Sequence, residues 1–342
     1  MRVGKETIDD RSDAVYVPPA QESPEVDDGR RVVASSLVET LQRGIESSIR
    51  GKTEVVRCFL ASVLAGGSVL LEDMPGTGKT TLAKSFARLV DLRFNRVQCT
   101  PDLLPSDVCG FSVYRAEDGS FEVRKGPVFC NVLLVDEINR ASPRTQSALL
   151  ESMAEKQVTI EGEHYSLPAP FLVIATQNPI GFQGTYPLPE AQLDRFLLHL
   201  SLDYPDHESE MELLYLQGET KEPSLESQIN SEDFLEMQRR VTEVNVAKPL
   251  ADYIVKIIHA TRNQSEIALG ASPRGSQMLF RAAQAEAFLG GRGFVLPDDI
   301  QYMAPFVLAH RIVLNRTANL SNRHQDKRQL ISDIVRKIAV PA

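Results

Sequence analysis

Leu71-Glu72-Asp73-Met74-Pro75-Gly76-Thr77-Gly78-Lys79-Thr80-Thr81 follows an apolar run beginning at Ser68 and opens directly into a helix-like pattern. A strand, a glycine-bearing turn and a helix in that order form a cradle for a polyphosphate. Backbone N–H groups point inward, the helix start adds its positive end, a lysine reaches the outer phosphates and a hydroxyl holds Mg²⁺. The expected nucleotide-contacting residues are therefore Pro75, Gly76, Thr77, Gly78, Lys79, Thr80 and Thr81, with Thr80 also a metal ligand. Position 73 departs from the pattern G-x-x-x-x-G-K-[ST], because Asp73 stands where the first glycine belongs. An acid near phosphates weakens their binding unless it points away from them, and Asp73 is expected to point away. The plain alternative for this stretch alone is a Gly-Pro turn with a solvated lysine.

The chain has 342 residues and 42% hydrophobic content, enough for two cored domains. Apolar runs such as Val132 to Val135 and Phe171 to Ala175 are strand-length, far below the ~20 residues that cross a bilayer. No membrane span is expected. With no basic-then-apolar leader and no C-x-x-C spacing among Cys58, Cys99, Cys109 and Cys130, a cytoplasmic location and reduced structural thiols are expected. Forty-six acidic against 37 basic residues give a net charge of −9, which argues against a generally basic, nucleic-acid-gripping surface.

Residues 1–30 hold eight acids, four bases and Pro18, Pro19 and Pro24, with little apolar periodicity, and read as a mobile acidic leader. Helical spacing runs from Val32 to Ile49, breaks at Gly51, and resumes from Thr53 to Leu64. Strands are expected at 68–72, 94–98, 132–135, 171–175 and 196–200, interleaved with helices in the manner of a doubly wound α/β sheet. Two alternating stretches, around Asp118-Gly119 and around Gly162, read as hairpins. Beyond Asp203-Tyr204-Pro205 helical patterns dominate, with caps such as Ser272-Pro273. This divides the chain into a leader (1–30), a nucleotide-binding α/β domain (31–204) and a smaller helical domain (205–342).

Val132-Leu133-Leu134-Val135-Asp136-Glu137 is an apolar strand ending in two adjacent carboxylates. Asp136 is placed to orient Mg²⁺ through water, and Glu137 to align or deprotonate the water that attacks a γ-phosphate. Gln98, at a strand end, is a candidate for orienting Glu137. Asn178, at the tip of another strand, could hydrogen-bond the lytic water, or its Asn-Pro pair could simply start a turn. Arg195 either pairs with Asp194 or acts as a cation stabilising transition-state charge on a neighbouring subunit's nucleotide. Arg274 begins a helix, where a cation opposes the helix dipole, so an anionic partner is expected. Arg140 and Arg144 read as solvated or neighbour-touching charges, and His199 within an apolar strand as a core histidine.

These pieces in this order resemble the AAA+ ATPases, and more narrowly the MoxR family, from about Leu37 onward. The resemblance rests on Met74 to Thr80 as Walker A, Leu134 to Arg140 as Walker B, Ala175 to Pro179 as sensor 1, and the segments Thr100 to Asp107 and Thr185 to Phe196. It implies a parallel sheet of strand order 5-1-4-3-2 with helices on both faces, followed by an all-α lid domain. It further implies that the hairpins are the helix-2 and pre-sensor-1 inserts, Arg195 the arginine finger and Arg274 sensor 2. Ile49, Arg50 and Gly51 would form part of the adenine pocket. The implied function is that of an ATP- and Mg²⁺-dependent hydrolase working as a hexameric ring that remodels client proteins, often with a von Willebrand A-domain partner. A nucleotide-gated scaffold with little turnover, and a chelatase- or DNA-associated motor, are the alternatives.

Overall fold

The computed structural model describes residues 24–74, 76–178, 185–204, 207–208, 210–211, 229–315 and 324–341. The expected acidic leader lies outside these residues up to position 23, and helix α1 (Pro24–Ser48) already occupies its last part. Gly51, at φ +69°, breaks the helical path before α2 (Thr53–Leu64), as the glycine's freedom at positive φ allows.

The α/β unit continues with β1 (Val69–Glu72), α3 (Lys79–Leu89), β2 (Phe94–Gln98), α4 (Pro105–Cys109), the hairpin β3 (Gly110–Arg115) and β4 (Ser120–Lys125), and β5 (Val132–Asp136). It ends with α5 (Pro143–Glu155), the hairpin β6 (Gln157–Ile160) and β7 (Glu163–Ser166), β8 (Leu172–Gln177), α6 (Glu190–Leu193) and β9 (Leu198–Leu200). Five strands form one sheet in the order β2-β5-β8-β1-β9, every pairing parallel. Numbered among themselves these are 2-3-4-1-5, the expected order read from the other edge.

Because side chains alternate along a strand, each strand feeds two cores. Val69, Leu71, Val132, Leu134, Leu172 and Ile174 pack with α1, α2 and α3, while Leu70, Leu133, Val135, Val173 and Ala175 pack with Leu149, Leu150 and Met153 of α5. Burial on both faces explains why these strands are continuously apolar and easy to find. The register places Gln98 opposite Asp136, Leu71 opposite Thr176 and Glu72 opposite Gln177, so polar residues gather at the carboxyl edge of the sheet.

Both hairpins form where the turn signals stand. In the first, Gly119 takes φ +69° and Asp118 Oδ1 accepts the Ser120 N–H at 3.1 Å.

The lid comprises α7 (Ser231–Glu243), α8 (Lys248–Arg262), β10 (Ile267–Leu269), α9 (Pro273–Leu289), α10 (Pro297–Leu308), β11 (Val313–Leu314) and α11 (His324–Lys337). The Ser272 hydroxyl caps α9 by accepting the Gly275 N–H at 3.3 Å. The short antiparallel ribbon β10–β11 was not anticipated, since pieces of three and two residues are too short to show alternation. The lid shares the first of the two cores and is pinned to α2 by the Arg57–Glu286 ion pair at 2.6 Å.

Candidate nucleotide site

Glycine chemistry builds the loop between β1 and α3. Gly76 and Gly78 adopt φ +86° and +95°, a region that strains any other residue. A Cβ on Gly78 would also come within 3.1 Å of Ile49 Cδ1, so Ile49 packs directly on the loop's end. Pro75 lies outside the described residues. Lys79, the first residue of α3, folds back and donates to the carbonyl oxygens of Asp73 (2.9 Å) and Met74 (2.7 Å). Burial pulls its amine below the usual lysine range, and the negative charges of Asp73, Asp136 and Glu137 oppose that fall. Gly76, Thr77, Gly78, Lys79, Thr80 and Thr81 line a cleft of about 390 Å³ with Asp136, Glu137 and Asn178 on its far wall.

Asp73 also lines this cleft, but its carboxylate is bonded to the chain beyond β9. Its carboxylate is 4% exposed and accepts from Ser201 Oγ (2.7 Å), Leu202 N (2.6 Å) and Asp203 N (2.9 Å), just past β9. Asp73 φ is not positive, so the backbone has no need of the glycine that the motif prefers.

Asp136 is buried and held on two sides. Thr176 Oγ donates to its Oδ1 at 2.6 Å, and Arg96 donates to Oδ2 from Nη2 (2.5 Å) and Nε (3.1 Å). The same Thr176 hydroxyl accepts the Glu137 N–H at 2.9 Å, which supports Glu137 at φ +55°. Glu137 Oε2 accepts from Gln98 Nε2 (3.1 Å) and Arg140 Nη1 (3.0 Å), so both residues touch the carboxylate expected to handle water. Arg96 and Thr176 were missed in the sequence. The available signal was period two: Arg96 shares a strand face with Gln98, and Thr176 lies two residues before Asn178.

Ile49 and Gly51 flank the loop at different places. Gly51 lines a second cleft of about 230 Å³ with Lys52, Leu202, Asp203, Phe306 and Arg328, whose guanidinium carbon stands 3.9 Å from the Phe306 ring centre. Arg50 is exposed.

The remaining two candidates do not join the cleft. Arg195 is half-buried and donates from Nη1 to the carbonyl of Leu150 at 2.9 Å. It is not paired with Asp194, whose oxygens receive Arg311 Nε (2.9 Å) and Ser272 Oγ (2.8 Å). Arg274 is exposed in the first turn of α9, one residue beyond Pro273 and two beyond that same Ser272. The structure therefore gathers Lys79, Thr80, Asp136, Glu137 and Asn178 around one cleft and leaves Arg195 and Arg274 outside its lining.

Residues 68–198 match the model of the ATPase family associated with various cellular activities (AAA), and residues 259–334 match the AAA lid domain. Chaperone MoxR1 of Mycobacterium tuberculosis is 42% identical over 312 residues, covering 88% of this chain and 82% of that protein. The chain belongs to the MoxR family of AAA+ ATPases. A second relative by sequence is protein YeaC of Bacillus subtilis, 48% identical over 293 residues, covering 85% of this chain and 91% of that one. A crystal structure of a protein assigned as an ATPase, from Cytophaga hutchinsonii, superposes with a TM-score of 0.85 at 38% identity, covering 93% of this chain and 99% of that chain.

Membership of an AAA+ family implies nucleotide binding, usually with Mg²⁺, and the residues fit both. The paired positive-φ glycines leave the loop's backbone open, and the lysine amine rests only on its own loop's carbonyls. No cluster of three His, Cys, Asp or Glu side chains suited to a metal occurs among the described residues. Thr80 and Asp136 line the same cleft, and Mg²⁺ binds through one or two protein oxygens plus waters and phosphates. Among the described residues no helix is long and apolar enough to cross a membrane.

Proposed function

We propose that this MoxR-family protein binds ATP with Mg²⁺ in the cleft between Lys79 and Glu137 and hydrolyses it, and that the cleft is completed by a neighbouring copy in a ring. The observation that supports the reading is the split just described: a cleft holding the loop lysine and both acids, and two arginines outside its lining.

In this reading Lys79 exchanges its two carbonyl partners for outer phosphates, and the N–H groups from Gly76 to Thr81 hold the rest. The Thr80 hydroxyl and Asp136 would hold Mg²⁺, which neutralises developing phosphate charge when bound. Glu137 accepts the proton of the attacking water and Asn178 orients it. Ile49, Arg50 and Gly51 are proposed to help hold the base, a role supported by the packing of Ile49 against the end of the phosphate loop. Arg195 and Arg274 of the adjoining copy supply cations to the transferred phosphoryl group, a contribution of about 10³-fold or more in rate. Residues 31–204 act as the nucleotide-binding domain and 205–342 as the lid.

Hydrolysis is used to remodel a protein client in the cytoplasm, in the manner that the name of the chaperone MoxR1 indicates for that relative. The β3–β4 hairpin, with Phe111, Tyr114 and Phe121 exposed, supports such contact. A von Willebrand A-domain protein is a fitting partner, and the net charge of −9 counts against nucleic acid. The low-turnover scaffold loses its main support, since Asp73 is committed to the chain beyond β9.

The test is steady-state ATPase with Glu137→Gln and Arg195→Ala, alone and mixed. Each alone is expected to be nearly inactive, and the mixture to regain activity because each supplies what the other lacks. Unchanged rates in both variants would sink the reading, and ATP retained without turnover by the unmodified protein would favour the scaffold.

A further inference from the structure

Asp194 closes the short helix α6, immediately before Arg195, and its carboxylate reaches into the lid at two points. Oδ2 accepts from Ser272 Oγ at 2.8 Å, and Ser272 is the N-cap of the helix that carries Arg274. Oδ1 accepts from Arg311 Nε at 2.9 Å. Arg311 is 1% exposed in its side chain and spends its other donors on main-chain carbonyls between α6 and β9 and in α10. Nη2 donates to the carbonyls of Asp194 (3.1 Å) and Phe196, and Nη1 to those of Leu197 (3.3 Å) and Val307. The first turn of α9 also rests on the Arg311 stem, because a Cβ on Gly275 would lie 3.3 Å from its Cδ.

The Asp194 carboxylate thus bonds one arginine, Arg311, and the Ser272 cap of α9, and so ties the residue that precedes Arg195 in the chain to the helix start that carries Arg274. The pairing reaches across domains: Asp194 belongs to the α/β unit, and Ser272 and Arg311 belong to the lid. A charge buried this completely is tolerated only with its partner in place, which makes the arrangement all-or-none rather than yielding. Burial is the main influence on the Arg311 guanidinium, bringing it down to about 10; Asp194 opposes that and the Arg274 charge adds to it.

We infer that Asp194 and Arg311 are positioning residues that yoke Arg195 and Arg274 into one unit, so that both reach a neighbouring copy's nucleotide together. The inference rests on the proposed completion of each cleft by an adjoining copy. Arg195 and Arg274 act on the phosphates; Asp194 and Arg311 act only through them. Their loss displaces the arginines without touching the chain's own cleft, and a displacement of about 1 Å is worth roughly 10²-fold in rate.

The experiment uses the full chain with Asp194→Asn and Ser272→Ala, each alone and mixed with Glu137→Gln. Asp194→Asn keeps the shape and can still accept from Ser272, but leaves the Arg311 charge without a counter-ion. Ser272→Ala removes one tether and keeps the ion pair, so it reports even if the first variant fails to fold. A fluorescent ATP analogue measures binding in the variant's own cleft. Expected are nucleotide affinity within about twofold, kcat down 10- to 100-fold for Asp194→Asn and 3- to 10-fold for Ser272→Ala, and recovery when Glu137→Gln supplies intact arginines. The inference is overturned if both variants keep full kcat while Arg195→Ala loses it. It is equally overturned if affinity falls as far as kcat and mixing restores nothing, which is the mark of a merely structural pair. If Arg195→Ala itself is not rescued by Glu137→Gln, the underlying reading of a shared cleft fails instead, and the yoke goes with it.

Discussion

The carboxylate of Asp73, at the mouth of the phosphate loop, accepts the backbone N–H of Leu202 at 2.6 Å, joining the exit of β1 to the exit of β9. Ser201 and Asp203 donate to the same side chain. An acid in the place of the motif's glycine is therefore a brace between two neighbouring strands, and its replacement should cost stability rather than relieve repulsion. Asp73→Gly leaves two main-chain N–H groups without their acceptor and should destabilise the fold by about 3 kcal/mol. Urea unfolding would read that loss, and nucleotide titration should show no gain in affinity. A tightening of more than about fivefold would mean that the acid repels phosphate after all.

Arg96 holds the Asp136 oxygen that the proposed Mg²⁺ site would use. Asp136 Oδ2 receives both Nη2 and Nε of Arg96, and its other oxygen is taken by Thr176. If Asp136 holds Mg²⁺ as proposed, Arg96→Ala would free one of its oxygens for that role. The Mg²⁺ concentration giving half-maximal binding of the nucleotide should drop about 3- to 10-fold, equivalent to ~0.7 to 1.4 kcal/mol. Nucleotide binding in the absence of Mg²⁺ should weaken, because one positive charge has left the cleft. Opposite signs in the two titrations distinguish competition from a general loss of structure.

Thr176 serves two acids with one hydroxyl, donating to Asp136 and accepting from the Glu137 main chain. Thr176→Val preserves shape and deletes both bonds. Glu137 sits at φ +55°, a conformation that needs outside support, so its carboxylate should lose its aim. The expected outcome is kcat lowered about 10- to 100-fold with nucleotide affinity within threefold, and ~1 to 3 kcal/mol less stability. Parallel losses in affinity and rate would contradict this role.

Glu72 and His199 face each other at 3.0 Å on adjacent strands, and the charge of Lys327 also acts on Glu72. Burial on its own would raise the Glu72 carboxyl, but the hydrogen bond and charge of His199, with a bond from Gln177, outweigh it and hold the carboxyl below the usual range. The unfolded chain then takes up the proton more readily than the folded one. The stability contributed by the lowered Glu72 carboxyl is present above about pH 4.3 and is lost as pH falls through the lower folded value. His199→Leu should cost ~1 to 2 kcal/mol near neutrality and move the acid-unfolding midpoint to higher pH, measured by circular dichroism. A variant with an unshifted acid midpoint would show that the pair contributes nothing to acid tolerance.

The reading of His199 as a core histidine fits its place in β9, yet it says nothing of Glu72, because a cross-strand partner depends on which strands neighbour each other. Likewise Gln98 could be suspected of touching Glu137 only because both end strands. The register of β2 on β5 is what brings them within 3.1 Å. Arg195 shows the limit most plainly. Its sequence neighbour Asp194 offered a simple ion pair, and the folded chain gives that carboxylate to Arg311 instead.

Features governed by a few consecutive residues were open to reading from the chain alone. The phosphate loop needs glycines at positive φ followed by Lys-Thr, buried parallel strands need unbroken apolar runs, and the Asp118-Gly119 turn needs its own two residues. Each demand is local, so each leaves a local mark in the order of amino acids. The direction taken by Asp73, the hold of Arg96 on Asp136, and the separation of Arg195 and Arg274 from the cleft left no such mark. They join residues 40 to 129 positions apart across strands or domains, and only the folded sheet and the seated lid select one partner from many chemically equal ones.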